Sequence, residues 1–217
     1  MAFREKLVRR AKKVGLSIPP EVISGLEAYF GLLTTWNRRV SLTSFLLDEP
    51  ADEAVDRLLI EPRLASKHLP SRTMAVIDVG TGGGSPAIPL KLARPDIAMR
   101  MVESKARKAA FLRDVVRQLG LERAEVETAR FEELLARPEL HETTDVVTLR
   151  AVRIQQKTLM GLQAFLRPGG SLFLFRSGPM IALDADLTTA PLYWRRSCPL
   201  VPSLGSRLEI LEKSERL

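Results

Sequence analysis

The sequence is poor in the residues that build disulfides and metal sites. Its 217 residues include one cysteine, Cys198, and two histidines, His68 and His141, which stand far apart along the chain. A single cysteine excludes an intramolecular disulfide framework and is typical of a reducing cytoplasm. Because the histidines show no ligand spacing, we expect no His/Cys metal site.

Long hydrophobic runs are also missing. No apolar stretch approaches the roughly 20 residues that span a membrane. The amphipathic, basic start "MAFREKLVRRAKKVG" lacks the apolar segment of a secretory signal. We interpret it as a surface helix rather than a transit peptide, and we expect a cytoplasmic protein that does not act at a membrane.

Basic residues, in contrast, outnumber acidic ones. The chain carries 33 Lys and Arg against 26 Asp and Glu, for a net charge of +7 and an isoelectric point near 9.9. This balance favours an anionic partner, of which nucleic acid is the commonest, although an excess of arginine also serves solubility alone. The length suits one α/β domain with a modest extension, and nothing demands more than a monomer.

Residues 1–70 predict a helical cap. Apolar side chains recur every three or four residues over 20–36, which makes one apolar helix face. A further helix is predicted over 49–67, interrupted near Pro62. The stretch "KHLPSRT" separates this cap from residues 71–217, which we predict to form one Rossmann-like unit.

From Met74 onward, short apolar strands alternate with helices. The predicted strands are "MAVIDVG", "AMRMVES", "AEVETA", "DVVTLRA" and "SLFLFRS", and the helices cover 86–93, 105–119 and 155–166. This alternation is typical of a parallel, doubly wound sheet. After Leu192, "LYWRRSCPLV" and "RLEILEKS", joined by "PSLGS", predict a closing antiparallel hairpin.

The stretch "DVGTGGGS" follows the first predicted strand, which is where a doubly wound sheet binds its ligand. Glycines let a ligand approach the backbone closely and let the chain adopt positive φ. The dinucleotide pattern G-x-G-x-x-G fails from Gly80 because Ser85 holds its last position, and the P-loop pattern is absent. The frame Gly80, Gly82, Gly84 behind the acidic Asp78 better suits a nucleoside without a pyrophosphate.

Glu103 ends the second predicted strand. A carboxylate there accepts hydrogen bonds from both ribose hydroxyls, a requirement that NAD and S-adenosylmethionine share. The closing hairpin discriminates between them, since it resembles the end of class I methyltransferases rather than that of a dehydrogenase. We therefore predict an α/β class I methyltransferase with an N-terminal helical extension and S-adenosylmethionine as cofactor.

Six segments, in order, resemble the bacterial small-subunit rRNA guanine-N7 methyltransferases, formerly glucose-inhibited division protein B. "LLTTWNRRVSLTS" is similar to that family's W-N-[KR]-x-x-N-L-T element, and "DVGTGGGSPAIPLKLARPD" to its long glycine loop, a far more specific string than a generic glycine motif. "KARKAAFLRDVVRQLGL", "ARFEEL", "DVVTLRAV" and "LRPGGSLFLFRSG" are similar to its later blocks. The likeness covers about residues 25–180, with a weaker tail.

The resemblance implies a cofactor site and a target. Cofactor contacts are expected from the loop residues Asp78, Gly80, Thr81, Gly82, Gly84 and Ser85. Glu103 would bind the ribose, Phe131 and Glu132 would border the adenine, and Arg150 would lie beside the cofactor and the entering base. The target would be guanine 527 of 16S rRNA in the small ribosomal subunit.

Basic residues near this site are the candidates for RNA contact. They are Arg38, Arg39, Arg107, Lys108 and Arg176. The helix that opens with Lys105 begins at the cofactor end of the sheet, where phosphates would pass. Trp36, at helical spacing, we interpret as a core residue rather than a platform for a stacked base.

The chain also departs from the family pattern. Arg57 and Ile60 stand where the family's H-x-x-D-S-L block has its His and Asp, and further differences fall at Ser85, Ala87, Leu149 and Arg176. These differences leave open a methyltransferase for another RNA or a small molecule. A non-catalytic RNA-binding relative is a further alternative.

Simple chemistry agrees with transfer to guanine N7. That atom carries a lone pair and no proton, so its methylation needs no general base and depends on holding the reactants in near-attack geometry. The N/D-P-P-F/Y loop of exocyclic-amine methyltransferases is absent, and we expect Cys198 to pack in a terminal strand rather than attack a pyrimidine. We expect Arg150 to be the catalytic residue, orienting either the guanine or the cofactor carboxylate.

Overall fold

The computed structural model describes residues 2–72, 74–150, 155–177 and 190–215. Within these ranges one seven-stranded sheet is covered by helices on both faces. The strands are β1 (Ala75–Val79), β2 (Ala98–Val102), β3 (Ala124–Glu127), β4 (Thr144–Arg150), β5 (Leu166–Arg176), β6 (Leu192–Pro199) and β7 (Arg207–Lys213). The helices are α1 (Phe3–Lys13), α2 (Pro20–Asn37), α3 (Asp52–Val55), α4 (Glu61–Ala65), α5 (Ala87–Ala93), α6 (Ala106–Gln118), α7 (Phe131–Leu134) and α8 (Gln156–Leu162).

The strand order β3-β2-β1-β4-β5-β7-β6 confirms the alternation predicted from Met74 onward. Strands β1 to β5 pair in parallel, and β7 lies antiparallel between β5 and β6 as the predicted closing hairpin. Because β1 is bordered by both β2 and β4, the order reverses at β1. Ligands of doubly wound sheets bind outside the carboxyl ends of the strands at such a reversal.

The central strands β1 and β4 and the second half of β5 are mainly apolar and buried because helices cover both faces of the sheet there. On one face, Val76, Met99 and Phe173 pack with α2, α5 and α6. On the other face, Val79 and Leu174 pack with α7 and α8. No helix among the described residues is long and apolar enough to cross a membrane.

The N-terminal helices join the hydrophobic core of the first face. Leu26 and Leu33 of α2 are fully buried in the same cluster as α5 and α6. Helix α1 docks through Arg10, which forms a buried ion pair with Asp56. The basic residues of α1 are therefore not all solvent-exposed, because Arg10 holds the helix against the rest of the cap. The boundary near residue 70 stays a prediction.

The second cap helix is less regular than predicted. It begins at Asp52 rather than at residue 49, and a π-helical turn, Asp56–Ile60, separates α3 from α4. Pro62 has no N–H to donate to the Leu58 carbonyl. The Ser85 hydroxyl donates to that carbonyl instead, at 2.8 Å, so the interruption connects the cap to the glycine loop.

The "RPGG" stretch also differs from its prediction. The helix predicted over 155–166 ends at Leu162, and residues 167–170 lie inside β5, where the register with β4 shifts. Gly169 has a φ of +73°, and a Cβ on Gly170 would lie 2.8 Å from the Arg167 carbonyl oxygen, so glycine permits this irregularity. Ala151, the predicted end of the fourth strand, lies outside the described residues.

Candidate cofactor and RNA site

The sheet register places three predicted site residues side by side. Val79, the last residue of β1, pairs with Val102 on one side and with Leu149 on the other. The next residues in the three strands are Gly80, Glu103 and Arg150. Although they are far apart in the sequence, parallel pairing brings all three to one edge of the sheet.

The glycine loop leaves β1 in a conformation that favours glycine. Gly80, Gly82 and Gly84 have φ values of +70°, +58° and +92°. A Cβ on Gly82 would meet only the Gly80 carbonyl oxygen, at 3.7 Å, so this part of the backbone faces open space. At this position the bare backbone is accessible to a ligand.

Gly83 and Gly84 are bare for a different reason, which is packing of the cap. A Cβ on Gly83 would lie 3.1 Å from the Leu42 carbonyl oxygen, and one on Gly84 would lie 3.2 Å from the Tyr29 hydroxyl. The Tyr29 hydroxyl donates a 2.5 Å hydrogen bond to the Gly83 carbonyl. We did not predict a role for Tyr29, although a tyrosine on a buried helix face indicates that its hydroxyl needs a partner.

Glu103 connects this loop to the start of α6. Its Oε2 accepts a 2.9 Å hydrogen bond from the Gly82 N–H, and its Oε1 accepts one of 2.7 Å from the Lys105 N–H. A carboxylate oxygen can accept more than one hydrogen bond, so both oxygens keep capacity for ribose hydroxyls. The position fits the predicted ribose contact.

Asp78 lies beneath the loop and is almost fully buried. Its Oδ1 accepts a hydrogen bond from the Thr148 hydroxyl, while its Oδ2 has no hydrogen-bond partner among the described residues. Burial raises the pKa of Asp78 to about 6, against the opposing effect of Thr148. A buried carboxylate oxygen left unpaired beside a ligand loop suits a bound group with hydrogen-bond donors.

A cavity of about 400 Å³ lies at this edge of the sheet. The predicted site residues that line it are Gly80, Thr81, Gly82, Ser85, Glu103, Lys108 and Arg150. Its opposite wall is formed by the cap, through residues 42–45 with Leu33 and Leu58. This wall was not predicted, although residues 42–44 end the "LLTTWNRRVSLTS" segment that is similar to a family element.

Arg150 is anchored by three contacts at the cavity wall. Its Nη1 donates to the Ser85 hydroxyl at 3.1 Å, its Nη2 donates to Glu61 Oε2, and its Cζ lies 5.4 Å from the centroid of the Phe175 ring. Burial lowers the pKa of Arg150, while the charge of Glu61 raises it. Glu61 was not predicted as a site residue, although an acidic residue in the apolar stretch "LLIEPRL" is itself unusual.

Four of the predicted cofactor residues do not line this cavity: Asp78 and Gly84, which lie at the glycine loop, and Phe131 and Glu132. Phe131 opens α7 and packs beside Gly161 of α8, and Glu132 is exposed. Neither residue lines the cavity. Their contact with the adenine stays a prediction.

Three predicted RNA-contacting arginines surround a second, surface depression. Arg38 and Arg39 follow α2, Arg107 lies in the first turn of α6, and all three line a depression of about 500 Å³. Trp36 lines it as well, while its ring packs edge-on against Phe111 and its Nε1 donates to Asp114. Trp36 is thus half-buried rather than a pure core residue.

The other two predicted RNA contacts are placed differently. Lys108 lines the cavity beside Glu103 rather than the depression. Arg176 is the last residue of β5, and its backbone lies opposite that of Arg207 in the antiparallel pairing with β7. The five residues therefore form a group at the depression and two separate positions at the cofactor end of the sheet.

Comparison with known proteins decides the family. Residues 22–182 match the GidB family, described as rRNA small subunit methyltransferase G. The chain belongs to this family. It is 37% identical to ribosomal RNA small subunit methyltransferase G of Roseiflexus castenholzii, over 86% of this chain and 77% of that protein. The corresponding enzyme of Moorella thermoacetica is 33% identical, over 82% and 74%.

Family membership confirms the predicted resemblance, and the chain is an rRNA methyltransferase that uses S-adenosylmethionine. A solved SAM-dependent methyltransferase from Aquifex aeolicus has the same fold, with a TM-score of 0.53 and 16% identity, over 71% of this chain and 89% of that one. The class I methyltransferase fold is thereby confirmed. The described residues contain no cluster of three or more His, Cys, Asp or Glu side chains arranged to hold a metal ion.

We predict a specific pH dependence for the buried Asp78. Because its folded-state pKa of about 6 lies above the usual value of 3.8, the folded protein retains this proton longer than the unfolded chain. Its contribution to stability is complete below pH 4 and is lost as the pH rises through 6, by up to about 3 kcal/mol. Urea unfolding without cofactor should show Asp78→Asn gaining stability relative to the wild type over this interval. A difference independent of pH would contradict the assignment.

We also predict that Glu103→Ala lowers the affinity for S-adenosylhomocysteine by at least about tenfold. A hydrogen bond to a charged group contributes about 1.5–3 kcal/mol, and this variant loses the ribose acceptor together with two loop contacts. Isothermal titration measures the loss, with the exposed Glu122→Ala as the matched control. Equal affinities for the two variants would remove Glu103 from the cofactor site.

Proposed function

We propose that this enzyme methylates N7 of a guanine in 16S rRNA, and that the target is guanine 527. The observation that carries the proposal is the cavity in which the open Gly82 backbone, the Glu103 carboxylate and the Arg150 guanidinium converge. The first two suit a nucleoside cofactor, and the third supplies hydrogen-bond donors for the entering base.

The residues around this cavity suit a reaction that depends on position. S-adenosylmethionine supplies a methyl group bonded to a cationic sulfur. In the transfer, the bond from sulfur to the methyl carbon breaks as the N7 lone pair forms the new bond, and S-adenosylhomocysteine leaves. No proton is removed, so the protein needs to align the two reactants rather than supply a base.

Arg150 is the residue that we assign to this alignment. Its anchored guanidinium lines the cavity, with donors that its contacts to Glu61 and Ser85 leave unused. Those donors suit either the guanine O6, next to N7, or the carboxylate of the cofactor. We assign cofactor contacts to Asp78, Gly80, Thr81, Gly82, Gly84, Ser85 and Glu103, and we retain Phe131 and Glu132 as proposed neighbours of the adenine.

The surface depression supports the RNA-binding part of the proposal. Arg38, Arg39 and Arg107 can contact phosphates there, and the exposed part of Trp36 lies among them. Lys108 would continue this contact into the cavity, and Arg176 would extend it along the cofactor end of the sheet. We propose a monomeric, cytoplasmic enzyme that acts on the small ribosomal subunit.

Methyl transfer to small subunits lacking the modification tests the target directly. With labelled S-adenosylmethionine, we expect one methylated guanine, mapped at position 527 by strand cleavage specific for N7-methylguanine. Glu103→Ala serves as the control with impaired cofactor binding. Labelling at another guanine would replace the target, and absence of labelling despite cofactor binding would favour a small-molecule substrate.

Salt dependence tests the proposed RNA surface. Arg107→Ala should weaken binding to the small-subunit RNA and lower the slope of log K against log salt by about 0.7–0.9, the value for one lost phosphate contact. The control is Arg117→Ala, since Arg117 lies in the last turn of the same helix and pairs with Asp114. Filter binding over a range of salt concentrations gives both slopes. Identical slopes for the two variants would place the RNA elsewhere.

A further inference from the structure

We propose that Glu61 is a positioning residue, which holds Arg150 in the orientation required for methyl transfer. Through Glu61, the N-terminal cap becomes part of the transfer site rather than only a cover for the sheet. This inference rests on the proposed function for the role of Arg150 in methyl transfer. The contact between Glu61 and Arg150 is independent of any substrate.

The Glu61 carboxylate lies between two arginines. Its Oε2 accepts from Arg150 Nη2, and its Oε1 accepts from Arg57 Nη1 at 3.3 Å. The Glu61 side chain is only 2% exposed, so each of these contacts is shielded from solvent.

Arg150 depends on Glu61 for its only ion pair among the described residues. Its other anchors are the neutral Ser85 hydroxyl and the face of the Phe175 ring. A guanidinium that is 16% exposed needs a compensating charge, and without Glu61 it would turn toward the open cavity. In that orientation its donors would no longer be aligned for a bound base.

Stability alone does not account for this arrangement. Two arginines share the one buried carboxylate, and the exposed Glu53 pairs only with Arg57. Buried ion pairs are often matched in stability by apolar residues of similar volume. A charged cluster at the wall of the ligand cavity is therefore better explained by what it does to Arg150.

The two charged cap residues of this cluster support each other. Arg57 and Glu61 are four residues apart in the chain and pair directly. The cap thus brings a carboxylate to Arg150, which lines the cavity, together with a second arginine that contacts this carboxylate.

A double-mutant cycle separates positioning from a general loss of structure. In single-turnover transfer to small subunits, Glu61→Gln should lower the rate at least about tenfold while the KM for S-adenosylmethionine changes less than about threefold. In an Arg150→Met background, Glu61→Gln should change the rate less than about twofold. Equal losses in both backgrounds would show that Glu61 does not act through Arg150.

The matched control is Glu53→Gln. Glu53 pairs with Arg57 at 3.5 Å but is 53% exposed and does not pair with Arg150, so this variant should transfer methyl groups at the wild-type rate. A loss equal to that of Glu61→Gln would trace the effect to Arg57 and overturn the assignment.

Arginine guanidinium NMR gives a readout that is independent of the RNA target. With ¹⁵N-labelled arginine, the Arg150 N–H resonances, assigned by their absence in Arg150→Lys, should be protected from solvent exchange in the wild type and in Glu53→Gln. They should lose that protection in Glu61→Gln, and retained protection would overturn the proposal. If the wild type labels no small subunit, the proposed function fails while this experiment still decides whether Glu61 holds Arg150.

Discussion

The parallel pairing of β1 with β2 and β4 is the constraint on which the whole site depends. Val79 is level with Val102 and Leu149, and the residue after each of them carries a different function. One supplies bare backbone, the next a carboxylate and the third a guanidinium. Because side chains alternate between the two faces of a strand, a shift of one residue in either pairing would move Glu103 or Arg150 away from the glycine loop.

The cap completes what this edge of the sheet begins. Tyr29 and Leu42 pack against Gly83 and Gly84, while Gly80, Gly82 and Gly83 line the cavity. The Ser85 hydroxyl donates a hydrogen bond to the Leu58 carbonyl, which receives no helical hydrogen bond because Pro62 has no N–H. The loop is thus held from the sheet side by Glu103 and from the cap side by these contacts. Residues of the cap and of the glycine loop therefore line the same cavity.

Positive charge is used in three different ways along the chain. In α1, Arg10 is buried against Asp56 and fastens the cap. At the depression, Arg39 and Arg107 leave their charge at the surface, and Arg38 pairs there with the exposed Asp48. At the cavity wall, Arg150 is partly buried and shares the Glu61 carboxylate with Arg57. Only the second use corresponds to what net charge indicates from composition.

The alternation of strands and helices was predictable from local pattern, and so was the position of the glycine loop, Glu103 and Arg150 at the carboxyl ends of neighbouring strands. Their cofactor and base contacts stay predictions. The contacts of Tyr29 and Glu61 were not predictable, since their partners Gly83 and Arg150 lie far away in the sequence and come close only when the cap folds onto the sheet. The irregular course of β5 was missed because "RPGG" also ends helices. The order of the elements, the cofactor class and the family thus follow from the sequence alone. Which side chains face the cavity depends on the fold, because burial and strand pairing bring together residues that lie far apart in the chain.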